Sequence, residues 1–312
     1  MGFPVALDDV AIDMGMMGAA QHQENLGGGQ APLRFGLTAL LIGNLCLAFG
    51  PIFVRMADTG PVASAFWRIA LAIVPLFVIA RMVGEPAKAL PKSMIALFAI
   101  SGLLFAADLA AWHLGIFETK LANANLLGNS TSFLLPLYAF AAARVWPTRM
   151  QGTALALATL GAVLLMGRSY ELSPQNLIGD LLCLLAGAFY TGYLVLMARA
   201  RDTMPQWAVL AWSTLMSALP LLITALLLGE RVLPSDWTPL VALALLSQII
   251  GQGLMIYAIG RVAPILFGIT LLIQPIISAT YGWVVYGERL AGLDWIGAGL
   301  IALALILVRG RD

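Results

Sequence analysis

From Phe35 onward the chain alternates between apolar stretches of about 20 residues and short segments that hold most of its charges. A helical stretch of that length, rising 1.5 Å per residue, crosses a hydrocarbon core of about 30 Å. Ten such stretches can be drawn, at 35–54, 61–80, 94–115, 121–143, 150–167, 177–198, 206–228, 238–259, 264–286 and 292–308. Backbone polar groups in lipid must be satisfied within the segment, so the pattern predicts ten transmembrane α-helices and no strands. The first 33 residues differ, with Asp8, Asp9, Asp13, Glu24 and Gly27 to Gly29 and no spanning run. They predict a disordered cytoplasmic leader over 1–33. This leader has neither the basic and apolar regions of a secretory signal nor the hydroxyl residue of a myristoylation signal, position 6 being Ala6. Met14, Met16 and Met17 are alternative starts.

Composition agrees: 61% hydrophobic, 11% charged and a mean hydropathy of +0.91, where soluble domains carry roughly 25% charged residues. A formal charge of +1 excludes a nucleic-acid or polyanionic partner as the reason for the composition. Cys46 and Cys183 both sit in apolar runs, so neither a disulfide framework nor metal-ligand spacing is present, and no cofactor or metal is implied.

Charge placement then sets orientation. On the side of the N-terminus fall Arg34, Arg81, Lys88, Lys92, Arg144, Arg149, Arg199, Arg201, Arg261, Arg309 and Arg311. The other side has Arg55, Lys120, Arg168, Arg231 and Arg289. Cytoplasmic loops keep the positive excess, so both termini are expected in the cytoplasm. Trp146, Trp207, Trp237, Trp283 and Trp295 fall near span ends, where indoles anchor at headgroup level.

A shift of 145 residues superimposes one half on the other. It brings Trp67 onto Trp212, Pro75 onto Pro220, Gly84-Glu85 onto Gly229-Glu230, Trp112 onto Tyr257 and Gly115 onto Gly260; further on, Leu135-Pro136 meets Gln274-Pro275. Five spans per repeat is odd, so the second repeat enters from the opposite face. Residues 34–170 and 171–312 are the expected inverted five-helix repeats.

The order of these elements, with Leu121-Ala122-Asn123-Ala124-Asn125 running to Leu135-Pro136, Tyr257 to Arg261 running to Gln274-Pro275, and Tyr286-Gly287-Glu288-Arg289-Leu290, resembles the drug/metabolite transporter superfamily, EamA type. The likeness covers Phe35 to Val308. The polar run Asn123 to Ser132 and the pair Trp112-His113 are similar to the bacterial aromatic amino-acid exporters. Arg144-Val145-Trp146-Pro147 departs from the Gly-Glu-Arg pattern that follows the ninth span. The resemblance implies a central cavity lined by spans 1 to 4 and 6 to 9, with spans 5 and 10 outside, and a small-molecule substrate moved across the inner membrane.

The polar pattern fits that division. Spans 5 and 10 are nearly featureless, whereas Asn44, Asn125 with Asn129, Gln248 with Gln252, and Thr270, Gln274, Ser278 and Tyr281 are set at helical spacing on the others. Each could meet substrate or simply bond helix to helix. Arg68 and Asp108 are the fully ionisable side chains well inside the spans, at matched depths about 10 Å from the outer face. A charge there needs a partner or water, so they are expected to pair, either to tie two helices or to meet a zwitterion. His113 is a candidate proton relay or a bonded interface residue. Trp112, Tyr190, Tyr193, Trp212 and Tyr257, with Met255, supply candidate aromatic walls or ordinary packing. Pro51, Pro75, Pro136, Pro220 and Pro275 each remove a backbone donor inside a helix. Of these, Pro136 and Pro275 are the expected hinges of alternating access, static kinks being the other reading.

No HExxH, paired carboxylates, phosphate-binding loop or nucleophile-histidine set points to an enzyme. No filter-like loop or charged ring points to a channel. The expectation is a monomeric secondary transporter that exports aromatic and other neutral amino acids, the alternative being a multidrug or other metabolite exporter of the same fold.

Overall fold

In a computed structural model of the chain, residues 30–85, 90–119, 121–167, 174–286 and 292–309 are described. The leader up to Gly29 and the segment Gly287 to Leu290 lie outside the described residues, as do Lys88, Lys120, Arg168, Arg289 and Arg311.

Every regular element among the described residues is helical. In chain order they are α1 (Gln30–Ala48), α2 (Gly50–Met56), α3 (Pro61–Met82), α4 (Lys92–Glu118), α5 (Leu121–Gly128), α6 (Thr131–Ala143), α7 (Arg149–Gly167), α8 (Pro174–Thr203), α9 (Gln206–Leu227) and α10 (Thr238–Ala242). A π-helical segment, Leu243–Gly251, leads into α11 (Gln252–Ala258), and α12 (Pro264–Leu271), α13 (Ile273–Tyr286) and α14 (Gly292–Arg309) complete the chain. Among the described residues, six helical stretches are long and apolar enough to cross a membrane: Arg34–Met56, Pro61–Met82, Lys92–Glu118, Leu177–Thr203, Gln206–Leu227 and Thr238–Ala258. Thr131–Ala143, Pro264–Ile277 and Trp295–Ala304 are shorter apolar helices. Helix α1 begins at Gln30, inside the expected leader. Leu219, Leu227, Val74, Val284 and Ile306 point outward and exposed, a distribution that would promote aggregation in water and that lipid requires.

The departures from simple spans are local and have chemical causes. Pro51 has no N–H, so the chain restarts after Phe49 with Ile52 N–H donating to Phe49 O at 3.1 Å. Between α5 and α6 the bonding tightens to i→i+3, from Ser130 to Leu127 and from Ser132 to Asn129. At Leu272, three residues before Pro275, the same happens, with Leu272 N–H bonded to Ile269 O at 3.1 Å. The π-helical segment in the eighth stretch is not signalled by the hydropathy pattern.

Packing joins α3 to α9, α4 to α8, α6 to α12, α7 to α14, and α1 to both α11 and the π-helical segment. The α4–α8 contact is close because Gly115 meets Cys183 and the Gly179 carbonyl, leaving no room for a Cβ. The α3–α9 pair is fastened at both ends by carboxylates. Gly84 (φ 77°) and Gly229 (φ 66°) terminate the two helices in the left-handed region that glycine adopts at least cost. The glutamate that follows each one reaches the start of the other helix. Glu230 accepts from Val62 N–H at 3.2 Å and Ala63 N–H at 2.7 Å, and Glu85 accepts from Trp207 N–H at 3.1 Å. Each anion thus sits on a helix N-terminus with its unpaired N–H groups.

Beside the Glu230 end, the loop after α9 is docked on the α2–α3 loop. Gly60 N–H donates to Arg231 O at 3.0 Å, and the Trp67 indole donates to Val232 O at 2.7 Å. Ser235 N–H donates to Asp58, whose carboxyl it holds below the usual range, and Arg231 lies 3.6 Å from the same carboxylate. Replacing Glu230 by Ala removes the acceptor of two N–H groups and is expected to cost about 1–2 kcal/mol; Glu85→Ala, with one bond, should cost less. Thermal unfolding in detergent measures both, and no drop for Glu230→Ala would show that these caps do not fasten the pair.

Candidate functional site

The interrupted stretches meet at a small cavity of about 60 Å3. Leu47 of α1 lines it near the Phe49 break. Gly128 and Asn129 line it at the α5–α6 break, Gln252 at the end of the π-helical segment, and Gln274 just after Leu272. Helix α4 supplies a stripe at i, i+3, i+4 and i+7: Phe105, Asp108, Leu109 and Trp112. Arg68 from α3 and Tyr190 from α8 close it. Ligand pockets run to about 300–1,000 Å3, and this cavity is smaller than that.

Arg68 and Asp108 are both buried, and the ion pair expected between them is not formed: no such contact occurs within ion-pair distance among the described residues. Arg68 Nε instead donates to Gln248 Oε1 at 3.3 Å, and Gln248 Nε2 donates to Thr214 Oγ1 at 3.0 Å. The Asp108 carboxylate receives no hydrogen bond from any described residue and borders the cavity. A neutral amide thus serves the guanidinium, and Asp108 shares the wall with it without a direct contact.

A second polar chain runs along the breaks. Asn129 Nδ2 donates to its own helix at Asn125 O (2.6 Å) and to Gln274 Oε1 (3.5 Å), and Gln274 Nε2 donates to Asn44 Oδ1 (2.8 Å). Asn44 in turn donates from Nδ2 to Leu40 O at 2.8 Å. Three helical stretches are tied together by amide side chains that are all less than a tenth exposed. On the far wall the Tyr190 hydroxyl donates to Gln252 Oε1 at 3.2 Å, while Gln252 Nε2 is buried without a partner. Tyr193 stacks on Phe105, 4.4 Å between ring centroids and 14° between planes, and on Tyr190. Trp112 is wedged between two glycines: a Cβ on Gly128 would lie 2.8 Å from its indole nitrogen, and one on Gly50 would lie 3.5 Å from the ring. Its Nε1 donates to Ala124 O at 3.3 Å.

The sequence candidates therefore divide. Arg68, Asp108, Trp112, Asn129, Tyr190, Gln252 and Gln274 line the cavity. Asn44 and Gln248 sit one hydrogen bond behind it, and Asn125 contributes its carbonyl to Asn129. Two candidates are elsewhere. His113 follows Trp112 on α4, about a quarter turn round the helix and outside the cavity lining, with Nδ1 3.0 Å from Pro61 O and 2.9 Å from Ser64 Oγ, and Nε2 buried without a partner. It ties α4 to the start of α3 and does not reach the cavity. Tyr257 lies under the Arg261 guanidinium, 4.1 Å from its ring centroid, near the end of α11. Its alignment with Trp112 across the repeat does not bring it to the cavity lining. Sequence reasoning missed Leu47, Phe105, Leu109, Gly128 and Thr214. Phe105 and Leu109 were within reach, being one turn from Asp108 and Trp112 on the same face.

Of the expected hinges, Pro275 falls in the first turn after the Leu272 break. Pro136 lies inside α6 and leaves the Ser132 carbonyl without its helical donor; Gly268 of α12 packs directly on that carbonyl and on the proline ring. Cys46 and Cys183 are free thiols, and no cluster of metal-ligating side chains occurs among the described residues.

Helical stretches long and apolar enough to cross a membrane, with exposed apolar flanks around a buried polar cavity, are the features of a multi-pass membrane protein. The comparisons agree. Residues 177–310 match the EamA-like transporter family. Over 285 residues the chain is 25% identical to an uncharacterized transporter of Archaeoglobus fulgidus, covering 90% of this chain and 98% of that one. Over 283 residues it is 25% identical to the uncharacterized inner membrane transporter YedA of Escherichia coli K12, covering 89% and 72%. A solved crystal structure superposes with a TM-score of 0.70 at 19% identity, over 90% of this chain and 99% of that one, a likeness of fold. Together these are likenesses to membrane transporters, over the second half of the chain for the family and over most of it for the relatives.

The amide chain makes a stability prediction. In a double-mutant cycle of Asn44→Leu and Gln274→Leu, the coupling energy should fall between about 0.6 and 1.7 kcal/mol, the range for interhelical hydrogen bonds in membranes. Additive effects on detergent unfolding would mean that this bond carries no net energy.

Proposed function

We propose that the chain is a secondary transporter exporting amino acids, aromatic and other neutral ones, from the cytoplasm across the inner membrane by alternating access. The observation that carries this reading is the cavity wall. A carboxyl group and a guanidinium from adjacent helices face one space without a direct contact, beside Phe105, Trp112 and Tyr190. The carboxylate and ammonium of a zwitterion match such a wall, and an aromatic or aliphatic side chain matches the rings. Export of another amphipathic metabolite by the same fold is the second reading, favoured by the family match, which specifies no substrate.

Ten spans in two inverted repeats, with both termini cytoplasmic, belong to this proposal. Supporting it are the left-handed Gly84 and Gly229 and the crossed caps of Glu85 and Glu230, each pair 145 residues apart and at opposite ends of an antiparallel pair. Helix interruptions around a central site are also where one bundle can rock against another.

Efflux from proteoliposomes loaded with labelled phenylalanine, leucine and a panel of unrelated metabolites tests the function. Protein-dependent efflux of the amino acids is expected, and its absence would remove amino-acid export. Arg68→Gln and Asp108→Asn should each weaken apparent substrate affinity about 10- to 100-fold, since hydrogen bonds to charged groups contribute roughly 1.5–3 kcal/mol. The swap Arg68→Asp with Asp108→Arg should not restore transport; full restoration would reduce the two charges to a structural role. Pro136→Ala and Pro275→Ala should slow turnover, and wild-type rates in both would remove the hinges.

A further inference from the structure

We infer that Gln248 and Thr214 position Arg68 as a two-pronged carboxylate receptor, so that the cavity selects against ligands lacking a free carboxylate. This rests on the reading that the cavity binds an amino acid.

A guanidinium offers five N–H donors in a rigid fork, and a carboxylate can be held either side-on, by Nε and one Nη, or end-on, by both Nη groups. Here Nε is engaged by Gln248 Oε1 at 3.3 Å, which closes the side-on mode. Neither Nη has a partner among the described residues, while Arg68 is itself a cavity residue, so the end-on edge is the one left open. Arg68 has 3% of its surface exposed, and Gln248 and Thr214 have none, so water cannot take over the role of the amide.

The direction of the relay is determined by chemistry. Gln248 Nε2 donates to the Thr214 hydroxyl at 3.0 Å, which leaves Oε1 towards the guanidinium. A flipped amide would set its NH2 against the N–H groups of Arg68, two donors face to face. Thr214 on α9 thereby fixes the amide of the π-helical segment, and the amide fixes the rotation of the fork on α3. Asp108, across the same wall, is left for the ammonium end of the ligand. Gln248 is thus a positioning residue, acting through Arg68, although its place in the sequence had made it a candidate for direct contact.

The test compares phenylalanine with phenethylamine, which lacks the carboxylate, and with phenylalaninamide, which masks it, as substrates of the reconstituted full chain. The wild type is expected to move phenylalanine at least about ten-fold better than either analogue, measured as kcat/KM. Gln248→Glu, which places a competing carboxylate on the fork, and Gln248→Leu, which frees its rotation, should erase that preference. Thr214→Val, nearly isosteric, should shrink it in a protein that keeps its fold. The loss is expected in the ratio between phenylalanine and its analogues. An equal fall for all three ligands in every variant would reduce the relay to a structural role and overturn the inference. A wild type that moves phenylalanine no better than phenethylamine would overturn the carboxylate receptor while leaving transport standing. A wild type that moves none of the three would remove the amino-acid reading, and the relay with it.

Discussion

A polypeptide inside a hydrocarbon layer must satisfy its own backbone, since lipid offers neither donors nor acceptors. Helical hydrogen bonding can therefore be interrupted only where protein groups or a polar cavity take over. In this chain the interruptions at Phe49, at Asn129–Ser130, through the π-helical segment and at Leu272 all turn towards one small space. Amide side chains gather there for the same reason: Asn44, Asn129 and Gln274 bond one another across three broken stretches, and Gln252 meets Tyr190. The cavity and the broken helices are two aspects of one constraint.

Around that weak centre stands a stiffer frame. Helices α3 and α9 remain continuous through Pro75 and Pro220, and each is capped by the glutamate that ends the other. Glycines at the left-handed positions let the chain turn just before each glutamate, which places its carboxylate at the neighbouring N-terminus. The charge thereby meets the half-positive end of a helix dipole near the membrane surface, where anions are stabilised. Arg68 and Trp67 extend from α3 within this frame, so the cation of the cavity is held on an element that both caps immobilise.

The electrostatics of the cavity are one-sided. Arg68 and Asp108 both belong to the first half of the sequence, and the positions 145 residues later are Ser213 and Gly253. Ser213 lies within hydrogen-bonding distance of Tyr193, and the Gly253 carbonyl accepts from Gln206. The second half answers the charges with neutral groups, Gln248 and Thr214 behind the guanidinium and Gln252 on the far wall. The two ionisable side chains of the wall come from the first half, and the second half contributes the neutral amides Gln252 and Gln274.

What the sequence by itself determined is whatever depends on local periodicity and on the cost of transferring groups to lipid: the helical class, the membrane setting, and the buried polar residues that would gather at a site. Arg68, Asp108, Asn129, Tyr190, Gln252 and Gln274 were legible because a polar side chain in an apolar span must find a partner, a cavity or water. The tertiary structure alone decided which partner. Matched depth suggested that Arg68 and Asp108 pair, but a neutral glutamine from another helix took the guanidinium, and no one-dimensional pattern encodes the rotation of α3 that allows this. The same holds for Tyr257 and His113, whose positions along their helices looked apt and whose azimuths carry them away. Apolar wall residues such as Leu47 and Phe105 carry no chemical mark at all, so the cavity they line is a property of how the helices pack.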